Sequence, residues 1–120
     1  MTTDQTPSVV LDSIDEIRAL HRMLIERKFD GTEDEFFGSP FIAAVQHRLA
    51  DALTTAEPSK PWAAWRDAAG HSEKIDKVRN HIAGLGRFWA EANVTTRRQC
   101  VRDLLAPLLP DDTLLHDLTA

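Results

Sequence analysis

Two of the chain's three tryptophans fall in the stretch Lys60–Asp67, KPWAAWRD, with an arginine directly after the second. Trp62 and Trp65 share one face of a single helical turn. Arg66 adds a permanent cation to that turn. Two large aromatics and a fixed charge at one place are either a piece of core or a rigid mount for the guanidinium. Other residues with chemical potential are sparse. His47 and Asp51 stand at i, i+4 and could share a metal on one helix face, but a tight site needs three or four ligands and no second pair supplies them. A surface histidine beside a carboxylate is the plainer reading.

The spacing of Arg66 and His71 resembles the arginine–histidine pairs of helical RNases. Ten arginines and five histidines make such a spacing common by chance, and Gly70 is expected to end the helix between them. Cys100 follows helical spacing with Val101 and Leu104 and reads as a structural thiol, since no base stands at a recognisable distance. As the single cysteine it permits no internal disulfide and no cysteine-cluster metal site. The acidic stretch FDGTEDEFFGSP lacks the alternating acids and central glycine of a calcium loop. No glycine-rich phosphate loop, Ser–His–Asp set or zinc signature is present, and no metal site is expected on this chain.

The elements that must position these residues are helical. Val10, Ile14, Ile17, Leu20 and Leu24 recur at three and four. They predict a first helix over about 8–28, opened by Thr6-Pro7 or, later, by the capping-box pair Ser13 and Glu16. Asp30-Gly31-Thr32 is turn chemistry and closes it near Phe29. Ser39-Pro40 opens a second helix with Ile42, Val45, Leu49 and Leu53 on one face, followed by a linker over 54–59. Pro61 opens a third, which carries both tryptophans and stops at Gly70. Ser72 caps a fourth, whose seam Ile75, Val78, Ile82, Leu85 and Trp89 runs to Asn93 and is interrupted by Gly84 and Gly86. Thr96 with Gln99 caps a fifth, with Val101, Leu104, Leu105 and Leu108 inward. DDTLLHDL adds a short last turn. The expected fold is all-α: a single compact domain of five to six short helices.

The chain has 120 residues, 42% hydrophobic and 28% charged, which fits one soluble domain. Its net charge of −5 is uneven. Residues 1–59 carry 11 acids and 5 bases, residues 60–103 carry 9 bases and 5 acids, and the remainder adds 3 acids. An acidic chain with a basic middle points to salt bridging with an acidic segment or partner, not to nucleic acid. The opening MTTDQTPS has no signal-peptide pattern and no apolar run is long enough for a bilayer, so no membrane role and a cytoplasmic location are expected.

Four pieces in order resemble the helical N-terminal part of the nitrile hydratase β subunit, a module shared with thiocyanate hydrolase and nitrile hydratase activator proteins. They are FGSPFIAA with Phe37, Pro40 and Phe41; WAAWRD, starting 22 residues after Pro40; the helix HIAGLGRFWAEAN; and Thr95-Thr96. The resemblance covers about residues 35–100. It implies that Arg66 reaches across a subunit interface to the oxidised cysteine oxygens of a partner's metal site. Guanidinium suits such anionic acceptors because it donates two parallel bonds and never loses its charge. Trp62 and Trp65, with Phe41, would line the substrate wall. Lys77 falls near the family's supporting tyrosine, and His81 at or beside a common tryptophan.

The implied reaction is hydration of a nitrile to an amide, with cobalt or iron carried by a Cys-rich α-type partner as Lewis acid. This chain has no tyrosine, no metal-binding cysteine cluster and no β-barrel half. On this resemblance it is a small β-type subunit that is not active alone, completed by the α-type chain and, where the β half is split, by a separate β-barrel subunit. The alternatives are a nitrile hydratase activator or assembly factor, and an unrelated helical interaction module using Phe36-Phe37 and Phe88-Trp89 if exposed. The catalytic role expects Arg66 to point to solvent from an interface-like patch.

Overall fold

A computed structural model describes residues 6–120. Seven α-helices form among the described residues, with no strand: α1 Ile14–Phe29, α2 Pro40–Ala56, α3 Trp62–Trp65, α4 Ser72–Ala83, α5 Arg87–Glu91, α6 Val94–Leu105 and α7 Asp112–Thr119. The expected all-α class holds. Of MTTDQTPS, residues 1–5 lie outside the described part.

The helix starts follow local chemistry. The later of the two expected starts for α1 is the one used, without its capping box: Ser13 holds the N-cap position in extended backbone but its hydroxyl makes no capping bond, and Asp15 and Glu16 in the first turn complement the helix dipole. Residues 6–13 are not helical, and Val9 and Val10 are exposed. Ser39 caps α2, its hydroxyl accepting from the Ile42 amide at 3.3 Å, and Pro40 takes the first helical position. α2 then runs to Ala56, into the stretch expected as linker. Asn93, not Thr96, caps α6, accepting from the Thr96 amide at 2.8 Å. Asp111 caps α7 in the same way through Leu114, and the expected last turn is an eight-residue helix.

Two expected helices are broken, each for a visible reason. The segment from Pro61 to Gly70 is one helical turn, then a short 3-10 turn at Ala68–Gly70. Between them the chain pairs with the segment after α6: the Leu109 amide donates to the Arg66 carbonyl at 2.6 Å, and the Ala68 amide to the Leu109 carbonyl at 3.2 Å. The long fourth helix divides at Gly84–Gly86. Gly86 has φ +58, a backbone state that side-chain-bearing residues rarely adopt. Trp89 therefore sits on α5, where Arg97 donates to the Trp89 and Ala90 carbonyls.

The core gathers Phe29, Phe37, Val78, Ile82, Val101, Leu104, Leu105, Leu108, Leu115 and Leu118. α1 lies against α2, α6 against α4 and α7, and α2 also meets the α3 turn. That last contact brings the tryptophan turn to His47 and Asp51. Cys100 packs half-buried against the core, and burial pushes its thiol up.

Candidate functional site

The tryptophan turn is tightly furnished. Trp62 and Trp65 meet edge to face, with ring centroids 5.9 Å apart. The buried His21 of α1 stands against both, at 5.4 Å and 5.2 Å, and His71 meets Trp65 at 5.4 Å. Such T-shaped contacts place ring edges on ring faces. The Trp62 indole N–H donates to Glu57 at 3.2 Å, and the His71 Nε2–H donates to the Trp65 carbonyl at 2.6 Å. Glu57 also receives Arg18 at 2.7 Å and Lys60 at 2.9 Å. The bonds from Lys60, Arg18 and Trp62 hold its carboxyl down at about 2.

Arg66 does not face solvent as expected; it is 7% exposed. Each guanidinium nitrogen has a partner inside the chain. Nη1 donates to Asp51 Oδ1 at 2.6 Å, Nη2 to His47 Nδ1 at 3.0 Å, and Nε to the Pro107 carbonyl at 3.0 Å. The arginine thus ties α2 and the α3 turn to the chain leaving α6. Trp62 and Trp65 are half-buried and Ala63 and Ala64 between them are exposed, so the turn presents its alanines to solvent and encloses the cation.

The i, i+4 pair His47 and Asp51 does act together, but around Arg66 rather than a metal. Accepting at Nδ1 places the imidazole proton on Nε2, so the lone pair a general base needs is already engaged. Burial, then the Arg66 charge, lowers the His47 pKa; the same two causes lower that of His21. His71 turns to the Trp65 carbonyl, so the RNase-like spacing brings no arginine–histidine pair into register. Among the described residues, no group of three or more His, Cys, Asp or Glu side chains is placed to hold a metal ion.

The remaining expected site residues lie elsewhere. Lys77 donates to the Phe29 carbonyl at 3.0 Å and the Gly31 carbonyl at 2.8 Å, tying the α1–α2 loop to α4. His81 donates through Nδ1 to Glu33 at 2.8 Å, and its ring lies 4.8 Å from Phe37. Lys77 and His81 therefore form a second group, around Phe29 and Phe37, that shares no hydrogen bond or ring contact with the tryptophan turn. Phe41 belongs to neither group and is 82% exposed. Of the expected aromatic pairs, Phe36 and Phe88 are exposed, Phe37 is buried, and Trp89 lies beneath the Arg97 guanidinium.

Lys28 is the functional-looking residue that sequence reasoning passed over. It is 5% exposed, and its amine donates to Gln46 Oε1 at 3.0 Å, the Asp103 carbonyl at 2.7 Å and the Ala106 carbonyl at 2.9 Å. The last two are free carbonyls at the C-terminal end of α6, where a cation is favoured. Lys28 and Arg66 thus hold the consecutive carbonyls of Ala106 and Pro107. Burial pushes the Lys28 amine down to about 7, with the Asp103 charge opposing it. The available signal was position: Lys28 follows Leu20 and Leu24 at a spacing of four, on the same stripe of α1.

No known protein family, characterised protein or solved structure matches this chain. No helix among the described residues is long and apolar enough to cross a membrane.

Proposed function

We propose that this chain is a non-catalytic helical binding module, one that docks on a partner protein or assists its assembly. The observation that carries this reading is the internal use of all three guanidinium nitrogens of Arg66. An arginine serving an oxyanion on another subunit has to face outward with donors free. Here its work is to join three segments of one chain. On the resemblance to nitrile hydratase, the corresponding role is the activator or assembly factor; without it, a helical interaction domain.

A second reading, the β-type catalytic subunit, draws on one observation. Asp51, the acceptor of Nη1, has a side chain 70% exposed. An anionic group on a docked α-type partner thus has a route to exchange with it. In this reading the cobalt or iron stays on the partner and Arg66 addresses its cysteine oxygens.

Co-purification of the tagged chain from its native host separates the two. A binding module expects a partner whose capture survives Arg66→Lys at a temperature where the variant is folded, with no catalytic step depending on Arg66. The subunit reading expects a stoichiometric Cys-rich partner with about one cobalt or iron per copy, and nitrile hydration that Arg66→Lys abolishes while assembly persists. Hydration lost with assembly intact overturns the first reading.

A further inference from the structure

The loop between α1 and α2 is acidic and carries Phe36 and Phe37. In the structure it closes one wall of a cavity of about 220 Å³. Leu24, Phe36, Phe37 and Ile42 supply the apolar walls, and the Arg27–Asp34 ion pair stands at its edge. Lys28 also lines it. Its amine is engaged by Gln46, Asp103 and Ala106, which do not line the cavity, so its aliphatic stem is what faces this space.

The wall is held in place. Asp34 accepts from the Phe36 amide through its carboxylate at 2.9 Å and from the Phe37 amide through its carbonyl at 3.1 Å. Phe37 packs edge to face on Phe29, with centroids 6.4 Å apart. Phe36, on the wall of this preformed hollow, is 47% exposed, and Phe41, next in the chain to the lining Ile42, is 82% exposed. Large aromatics left in water next to an apolar cavity mark a place where something else binds.

The size and the charge say what. Pockets for cofactors and drug-sized ligands run to about 300–1,000 Å³. This one has room for a single large side chain, the form that anchors take at protein interfaces. Around it, Glu33 is taken by His81 and Asp34 by Arg27, while Asp30 and Glu35 are exposed and make no ion pair among the described residues. The nearby cations of α4 do not fill that role. Lys74 and Lys77 lie against the Phe29 and Phe37 rings, the Lys77 amine is committed to backbone carbonyls, and α4 contributes no lining residue.

We infer that the cavity between Leu24, Phe36 and Ile42, with half-exposed Phe36 on its wall, is a docking site for a protein segment. That segment inserts one large apolar side chain and presents Lys or Arg beside it. The inference rests on the binding-module reading and names the chemistry of its partner. A small apolar pocket supplies the anchor point, and the two unpaired carboxylates select basic neighbours and speed encounter.

The test is amide chemical-shift mapping of the full chain titrated with three probes: a Lys/Leu amphipathic helical peptide with one central tryptophan, the same peptide with Glu for Lys, and the Lys peptide with alanine for tryptophan. The expected result is shifts centred on Leu24, Thr32, Phe36, Phe37 and Ile42, with the first probe at least about tenfold tighter than either other, a difference of about 1.4 kcal/mol. Phe36→Ser and Glu35→Lys should each weaken it about threefold to tenfold. Ile42→Trp, which fills the hollow, should abolish it in a chain whose remaining spectrum is unchanged.

Equal binding of the Glu peptide, or shifts centred elsewhere, overturns the site. So does self-association that Phe88→Ser removes while Leu24, Phe36 and Ile42 stay unshifted, since the exposed Phe88 would then be the docking surface instead. Shifts centred on the groove of Ile17, Val45 and Leu49 would remove this site yet leave a binding module. Arg66-dependent nitrile hydration would remove the binding-module reading without touching the cavity result.

Discussion

The turn carrying Arg66 and the loop carrying Phe36 reverse what residue type alone suggests. At the first, a guanidinium lies inside with an acceptor for each nitrogen, on a turn whose tryptophan rings meet His21 and His71. At the second, Phe36 lies half in water on the wall of an apolar hollow. A closed polar network spends its bonding on holding segments together and has little left for a ligand. An open apolar surface adds little to the stability of the chain and keeps its binding capacity for something outside it. Chemistry-bearing residues and a binding surface thus occur in different places in this molecule.

The comparison breaks most easily at Arg66. Arg66→Ala removes three donations and leaves the buried Pro107 carbonyl without its partner, so unfolding free energy should fall by about 3 kcal/mol, read from urea midpoints. A loss below about 0.5 kcal/mol would mean that the network holds nothing together.

Lys28 spans both regions, its stem on the cavity and its amine on the carbonyls ending α6. Its folded pKa is lowered from 10.5 to about 7, so between those values the unfolded chain binds more protons. Stability should therefore rise as pH goes from 7 toward 10, and Lys28→Met should flatten that limb of the urea-midpoint profile. A wild-type profile that falls over this range through Lys28 would contradict the assignment.

Asp51→Asn is a gentler probe of the closed region. Its side chain is 70% exposed and the amide still offers an acceptor, so the loss should stay below about 1 kcal/mol in thermal or urea unfolding. A cost equal to that of Arg66→Ala would place the strength of the network in the ion pair rather than in the buried carbonyl. Phe41→Ser should move stability least, within about 0.5 kcal/mol, because its ring is already in water. A larger loss would show that Phe41 belongs to the packed fold and not to the exposed surface.

Much of the architecture is legible from spacing. The three–four recurrence of Ile14, Ile17, Leu20 and Leu24 marks α1, and Ser39-Pro40 marks the start of α2 to the residue. These signals are local: a cap needs only its own next turn, and a stripe needs only the helix period. The third and fourth helices were drawn too long because their limits are not set by local capping alone. Leu109 pairs with Arg66 and Ala68 across the fold, and Gly86 takes a positive φ that composition marks only as a weak point.

The site shows the same division. Residue types named Arg66, Trp62, Trp65, His47 and Asp51, and helical period linked the last two. What each touches depended on packing. The contact of α2 with the α3 turn turned a candidate metal pair into the acceptor set of an arginine, and the segment after α6 supplied a carbonyl from 41 residues away. Lys77 and His81 went to another group because α4 faces the α1–α2 loop. The sequence by itself determined the all-helical class, the starts of α1 and α2 and the supply of charged and aromatic groups, since these follow from interactions within a few residues. Only the tertiary structure decided which cation is enclosed and which aromatic is left in water. That choice depends on which helix faces meet, and side-chain burial and pairing are properties of the meeting faces rather than of any one segment.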